Sequence, residues 1–385
     1  MIYKMKKYLF SLIVMLTGSV LLTGCLKSDD NNTPTEYVVT KGALIINNGN
    51  ARSGIDGSLT FIDLSANPIS AQQNVFRNVN GRSLGGTPND VMVYGDKIYI
   101  AGTDENTVFV CDRKSFSLIK PISTTSDMGE AEGVSPRHFT AYGSKVYVST
   151  YGGYVGVIDT LNLTIGDMYK VGSAPEGMTI GGTSETDLSL YVCNSDYGNG
   201  NGSISKISLS NGSVTEIKNA SIHNPQEIAV AGEILYVLDW GYYDENWNQK
   251  EAGVYRIYGS NVAKVVPDAT GMAAANQSIV TYNYPYGSSK PTFSLYNVAY
   301  DSLTSFTLSG GDPIESPCAI GVDPNTGMVY IASRVIDETG YPSYKENGFV
   351  NIYNGSGQFV GSSALATGVE PHAIAFTYGT AKIQY

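Results

Sequence analysis

The chain contains three histidines, each within two residues of a proline: His138 after Pro136, His223 before Pro225, and His372 next to Pro371. Imidazole is a common metal ligand and titrates near neutral pH, so a three-histidine metal site is one chemistry this pattern suggests. Polar lining of a ligand pocket is the other. The residue directly after each recurring proline is mostly polar: Asn89, Arg137, Glu176, Gln226 and His372. Such a mixed set suits hydrogen bonding to a bound molecule better than metal coordination. We therefore read these positions as ligand-lining and assign neither a metal nor a cofactor. The sequence is read as lacking a G-x-S-x-G elbow, an H-E-x-x-H helix, a phosphate loop and a G-x-G-x-x-G turn, so no enzyme is expected. The paired acids Asp244 and Glu245 are expected in a flexible loop with nothing to fix their geometry.

These positions recur because the chain repeats itself. A proline, two variable residues, an apolar alternation, a short polar turn and a tyrosine-bearing run appear as TPNDVMVYGDKIYIAG from Thr87, SPRHFTAYGSKVYVST from Ser135 and APEGMTIGGTSETDLSLYVCN from Ala174. The phrase returns as NPQEIAVAGEILYVLD from Asn224, SPCAIGVDPNTGMVYIAS from Ser316 and EPHAIAFTYGTAKIQY from Glu370. One further copy, without its proline, is expected near TGMAAANQSIVTYNY. Pro88 to Pro371 spans 283 residues over six intervals, a mean of 47. A third strand such as TVFVCDR or YVGVIDT follows most phrases, and then a weaker fourth. Short alternating runs bounded by Gly, Asn and Asp mark strands, and no segment shows a helical period. The expectation is an all-β, seven-bladed β-propeller of four-stranded blades. The last unit is read as ending after two strands at Tyr385. Residues 42–64, with GALIINN and SLTFIDL, then complete its blade, so that N- and C-terminal strands close the ring and remove free sheet edges.

Strand parity divides the loops between two faces. Turns between first and second strands are short, as in YGDK and DPNTG. Loops between second and third strands lie at the proline end and are long and aromatic, including DWGYYDENWNQKEAG and SRVIDETGYPSYKENG. Long loops of this kind are commonly functional. Tyr151, Tyr154, Tyr197, Trp240, Tyr242, Tyr243, Trp247, Tyr282, Tyr284, Tyr286, Tyr341 and Tyr344 are expected to rim one mouth, some packing on neighbouring blades and others facing a ligand. The chain holds 28 tyrosines against 11 phenylalanines, a bias that fits half-buried strands and wet binding surfaces.

Residues 1–24 read as a signal peptide: Lys4, Lys6 and Lys7 precede a mostly apolar run, Tyr8 to Leu22, too short for a typical membrane span. Leu22-Thr23-Gly24-Cys25 resembles the bacterial lipobox, which implies lipidation of Cys25 and attachment to a membrane. The following Lys27, Asp29 and Asp30 resemble the surface-export signal of Bacteroidetes lipoproteins, implying an outward-facing outer-membrane protein. Residues 25–36 are expected as a tether and 37–385 as the propeller. The net charge of −11 makes nucleic acid an unsuitable partner. Cys111, Cys193 and Cys318 are odd in number and widely spaced, which fits small buried strand residues.

The stretch YVGVIDTLNLTIGDMYKVGSAPEGMTI, Tyr154 to Ile180, is similar to the repeat of YncE/YVTN-like propellers. Together with the lipobox, the export acids and the aromatic face, it resembles the cobalamin-capturing propeller lipoproteins of gut Bacteroidetes, the BtuG group. That resemblance implies capture of vitamin B12 or a related corrinoid and delivery to a TonB-dependent outer-membrane transporter. Glycan binding, adhesion to another protein and a calcium-dependent propeller lactonase are the alternatives.

Overall fold

The computed structural model describes residues 35–231, 234–259, 261–288 and 290–383. The expected signal peptide, the lipidated Cys25 and most of the tether lie outside the described residues. Among the described residues no helix is long and apolar enough to cross a membrane.

Among the described residues, seven four-stranded antiparallel sheets follow one another along the chain. Their inner strands are β1 (Pro88–Tyr94), β2 (Pro136–Tyr142), β3 (Pro175–Gly181), β4 (Pro225–Ala231), β5 (Gly271–Ala275), β6 (Ser316–Val322) and β7 (Pro371–Ile383). We number each blade by its inner strand. Successive inner strands lie against one another, except that β4 and β5 flank a cavity.

The second strand of each blade explains why the repeat phrase is so apolar. In Lys97–Gly102, every residue from Ile98 to Ala101 is fully buried, because this strand is covered on both faces. Alternation sends Ile98 and Ile100 into a cluster with blade 7, and Tyr99 and Ala101 into a cluster with blade 2. The same division recurs around the molecule. Seven apolar clusters join blade 7 to 1, 1 to 2, 2 to 3, 3 to 4, 4 to 5, 5 to 6 and 6 back to 7. Among the described residues the core is a cycle of interfaces rather than one cluster, and each fully buried Ile or Val contributes about 1.5–3 kcal/mol. The repeat tyrosines Tyr99, Tyr147, Tyr236 and Tyr330 all sit in these interfaces.

The closing sheet differs from its expected make-up. The C-terminal unit is one strand, not two: β7 continues through Tyr378-Gly379, the residues expected to turn, and pairs with Thr35–Asn47 along its whole length. The N-terminal segment supplies the other three strands, Thr35–Asn47, Ser58–Asp63 and Ser70–Gln72. Its first strand begins inside the stretch expected as tether. Pairing with that long partner satisfies the backbone groups that a turn at Gly379 would leave open.

Two short helices, Val75–Asn80 and Thr124–Met128, were not visible as periodic patterns. Each connects two blades and caps an interface with one or two apolar side chains, Phe76 in one and Met128 in the other. A single turn or two is too short to impose a helical period on the sequence.

Candidate functional site

The prolines and the loops between second and third strands share one end of the molecule. Pro88 pairs with Gly102, Pro136 with Thr150, Pro175 with Asn194 and Pro225 with Asp239, each partner closing its second strand. The expected face is therefore present, and what lies at its centre was not foreseen in detail.

Every proline-led inner strand carries a β-bulge directly after the proline. The register skips Asn89 in β1, Arg137 and His138 in β2, Glu176 and Gly177 in β3, Gln226 in β4, Cys318 in β6 and His372 in β7. A bulge adds a residue to one strand and re-aims its side chain, and bulges are common beside functional sites. The polar positions read from the sequence are thus the bulged residues themselves.

In blades 1 to 3 these residues form one connected network. Arg137 Nε donates to Glu176 Oε2 at 3.0 Å, and Tyr151 Oη donates to Glu176 Oε1 at 2.6 Å. His138 lies between two carboxylates, its Nδ1 3.6 Å from Asp90 Oδ2 and its Nε2 3.5 Å from Glu176 Oε2. Asn89 Nδ2 donates to the Arg137 carbonyl at 3.1 Å and sits 3.2 Å from His138 Nε2. The Arg137 guanidinium stacks over Tyr151, whose ring meets Tyr197 edge-on. Burial disfavours a charge on His138, but the carboxylates of Asp90 and Glu176 beside it outweigh that effect and raise its pKa to about 9. Burial likewise pushes the Glu176 carboxyl up, yet His138, Arg137 and Tyr151 together hold it below its usual value.

The arc through blades 4 to 7 is different. Arg334 and Glu370 pair with each other, with Arg334 stacked over Tyr344. Gln226 is held by Asn224. The carboxylate of Glu227, the ring of His372 and the phenol of Tyr282 have no side-chain hydrogen-bond partner among the described residues, while the Cys318 thiol reaches only the Ala332 carbonyl at 3.6 Å. Below this arc, Glu227, Ala229, Met272, Ala273, Ile320, Phe376 and neighbours line an open cavity of about 350 Å³.

Blade 5 has no proline and no bulge, and Tyr282 takes the vacant place. Gly271 pairs with Tyr282, and a Cβ on Gly271 would stand 2.1 Å from the Tyr282 ring. Tyr282, expected on the rim, is instead buried across the start of the inner strand. Gly271→Ala is expected to dislodge this ring and destabilise the protein by about 1–3 kcal/mol, the range for overpacking a filled core. A urea titration of both proteins checks it; an unchanged midpoint would show that the ring has room to move.

The remaining sequence candidates divide as follows. Tyr197, Trp240, Tyr242, Tyr243, Trp247, Tyr286, Tyr341 and Tyr344 are all exposed, Trp247 at 82% and Tyr286 at 96%. Tyr154 and Tyr284 are half-buried. His223 does not join the ring: its imidazole packs edge-on against Tyr242 in the outer loop, 5.0 Å between centroids. The histidines therefore do not form a trio, and among the described residues no His, Cys, Asp and Glu group has metal-binding geometry. Nor is the loop around Asp244 loose. Tyr242–Tyr243 and Gln249–Lys250 form a small hairpin, and Asp244 closes its turn by accepting from the backbone of Asn246 and Asn248, each at 2.9 Å. These bonds hold the Asp244 carboxyl below its usual pKa. Buried Asp239 anchors the hairpin base through the backbone N–H groups of His223, Asn224 and Gly241. The letters of a G-x-S-x-G string do occur, at Gly81–Gly85. That segment follows a helix rather than a strand, and Ser83 Oγ accepts from Gly85 N at 3.0 Å, so it is a turn and no nucleophile elbow.

Sequence reading missed Asp90, Glu227, Cys318, Arg334 and Glu370. Asp90 and Glu227 had a usable signal, an acid two residues after the proline at the head of an apolar strand. Cys111 and Cys193 are buried as expected, and Cys318 is part-exposed at its bulge.

Residues 41–196 match the model of a family described as Domain of unknown function (DUF5074). No curated protein matches the chain. Among solved structures it is similar to "Kuenenia stuttgartiensis Hydrazine Synthase", 14% identical, with a TM-score of 0.52 over 69% of this chain and 76% of that one. It is also similar to the RRP9 WD40 repeats, 11% identical, TM-score 0.55, over 77% of this chain and 86% of that one. U3-55K is 12% identical, with a TM-score of 0.52 over 77% and 88%. At such identities the likeness speaks for the propeller fold alone.

Proposed function

We propose that the protein is a binding lipoprotein of the cell surface, anchored to the outer membrane through Cys25. It captures a small-molecule nutrient on the proline-end face and passes it to a TonB-dependent transporter. Vitamin B12 or a related corrinoid is the first candidate, and the protein binds its ligand without chemically changing it. The observation that carries this reading is the collection of exposed aromatic rings on one face around a polar, bulge-built centre. Rigid rings offer large contact area at little loss of side-chain freedom, and the part-exposed Gln226 and Arg334–Glu370 pair offer hydrogen bonds to polar fringes. Asn89 and Glu176, at 1% and 3% exposure, are instead buried within the network. Rings this exposed stabilise little of the fold, which frees them for a ligand of large, amphipathic shape.

Calorimetry on the chain from Leu26 to Tyr385, which holds all seven sheets, tests this with cyanocobalamin, cobinamide and a panel of glycans. A corrinoid is expected to bind, and Trp247→Ala to weaken it about tenfold or more, as for a central aromatic contact. Asp96→Ala, in an opposite-end turn, is expected to leave affinity unchanged. Silence with both corrinoids overturns the corrinoid reading, and heat from a glycan replaces it with glycan capture.

A further inference from the structure

The bulge ring is divided into a half that satisfies itself and a half that does not. Asn89, Asp90, Arg137, His138, Glu176 and Tyr151 bond to one another. Across the channel, Glu227 lines the cavity between β4 and β5 with its carboxylate unpaired among the described residues. Charge over the whole ring is unbalanced in the same place. With Glu227 ionised, Asp90, Glu176, Glu227 and Glu370 bring four negative charges, and Arg137, His138 and Arg334 bring three positive ones. One acid is left without a counterpart, and geometry makes it Glu227.

We propose that this cavity is a binding site for an organic monocation, an ammonium head paired with Glu227 and an apolar body lying against Ala229, Met272, Ala273, Ile320 and Phe376. The site is separate from the aromatic rim and goes beyond capture on it. A cavity of about 350 Å³ falls in the range of small-molecule pockets. Glu227 is the only hydrogen-bonding side chain among its lining residues, and the rest of its polar surface is backbone. Tyr282 senses the charge of Glu227, and burial keeps its phenol uncharged by pushing its pKa up. A negative group on the ligand finds no free cation in the bulge ring among the described residues, because Arg137 and Arg334 are already paired.

Burial raises the Glu227 pKa to about 7, with the charge of Asp90 adding to the rise and that of His138 opposing it. Tyr282 and the buried Cys193 are the other titratable groups that sense it, and both stay neutral in this range. Ionisation of Glu227 rises from roughly one-tenth at pH 6 to nine-tenths at pH 8, so cation affinity gains about ninefold over that interval.

The probe is phenethylammonium, with phenethyl alcohol and 3-phenylpropionate as neutral and anionic controls. Titrations on the chain from Leu26 to Tyr385 follow the methyl signal of Met272 by NMR. The ammonium is expected to bind about tenfold tighter than the alcohol at pH 8, to lose about ninefold at pH 6, and to shift the Met272 methyl. Glu227→Gln is expected to abolish both the preference and the pH dependence while the alcohol still binds. Equal binding of the three probes, or a preference that survives Glu227→Gln, overturns the proposal. So does loss of ammonium binding in Trp247→Ala, which would place the probe on the rim. Failure of corrinoid binding leaves these outcomes untouched, so the two readings are separable.

Discussion

Replacing Glu176 with alanine is expected to lower stability by about 3–5 kcal/mol, the range for removing one partner of a buried ion pair. Its side chain is 3% exposed and accepts from Arg137 and Tyr151 while facing His138, so its loss strands two cations and a phenol. For a domain of this size that is roughly a 4–7 °C fall in Tm. Glu176→Gln, which keeps the shape and one acceptor, should fall between. The same cluster sets a pH dependence. His138 holds its proton to about pH 9 in the folded protein, against 6.5 in the unfolded chain. Its contribution is therefore complete below about pH 6.5 and is lost as pH rises through 9. Glu176 runs the other way: its contribution is present above the ordinary glutamate value of 4.5 and is lost as pH falls through its lowered pKa. With the His138 side chain 23% exposed, the alkaline loss is about 2 kcal/mol. Urea unfolding at pH 6.5 and 9.5 measures it, and Glu176→Ala should shrink the difference. Identical urea midpoints for the two proteins would mean that the network is solvated rather than buried.

Deleting residues 371–385 is expected to abolish cooperative folding. β7 pairs with Thr35–Asn47 from Ile383 to Pro371, and its Ala373, Ile374, Ala375 and Phe376 pack into the clusters that join blade 7 to blades 1 and 6. Removal opens the cycle of interfaces at two adjacent joints. It also leaves Ala43, Leu44, Ile45 and Ile46 on a strand whose inner edge has no partner, an invitation to aggregation. Connectivity can be separated from content by circular permutation. Ile383 lies opposite Thr35, so a short linker from Tyr385 to Thr35 forms a hairpin, with new ends at Val369 and Glu370. The permutant is expected to fold with one cooperative thermal transition, and the truncated chain to show none. A truncated chain that still melts cooperatively would mean that six blades close without the seventh.

Much of the architecture is legible because it is local. Each blade repeats a short stretch in which alternation reports a strand, glycine reports a turn and proline reports the start of an inner strand. Gly95 and Gly143, both at φ 60°, show why YGDK and YGSK tolerate only two residues between paired strands. Parity then assigns Trp240, Trp247 and Tyr286 to the proline end. Departures from the sequence reading share a different physics. The C-terminal strand passes through an apparent turn because its partner, more than 300 residues away, continues beside it. Asp244 looks like a free loop acid until the hairpin that it closes is seen.

By itself, then, the sequence determined the repeat, the strand order within each blade, the polar character of the residue after each proline and the aromatic character of one end. Only the tertiary structure decided which of those polar side chains satisfy one another. His138, Arg137 and Glu176 come from positions 38 to 39 residues apart and meet because bulges turn them towards a common axis. Tyr282 replaces a missing proline unit by crossing over Gly271, and Glu227 is left facing a cavity because β4 and β5 stand apart. Alternation and turn chemistry act over a few residues and leave a mark in the sequence. Pairing across the ring depends on distances between blades, which no short stretch of the chain encodes.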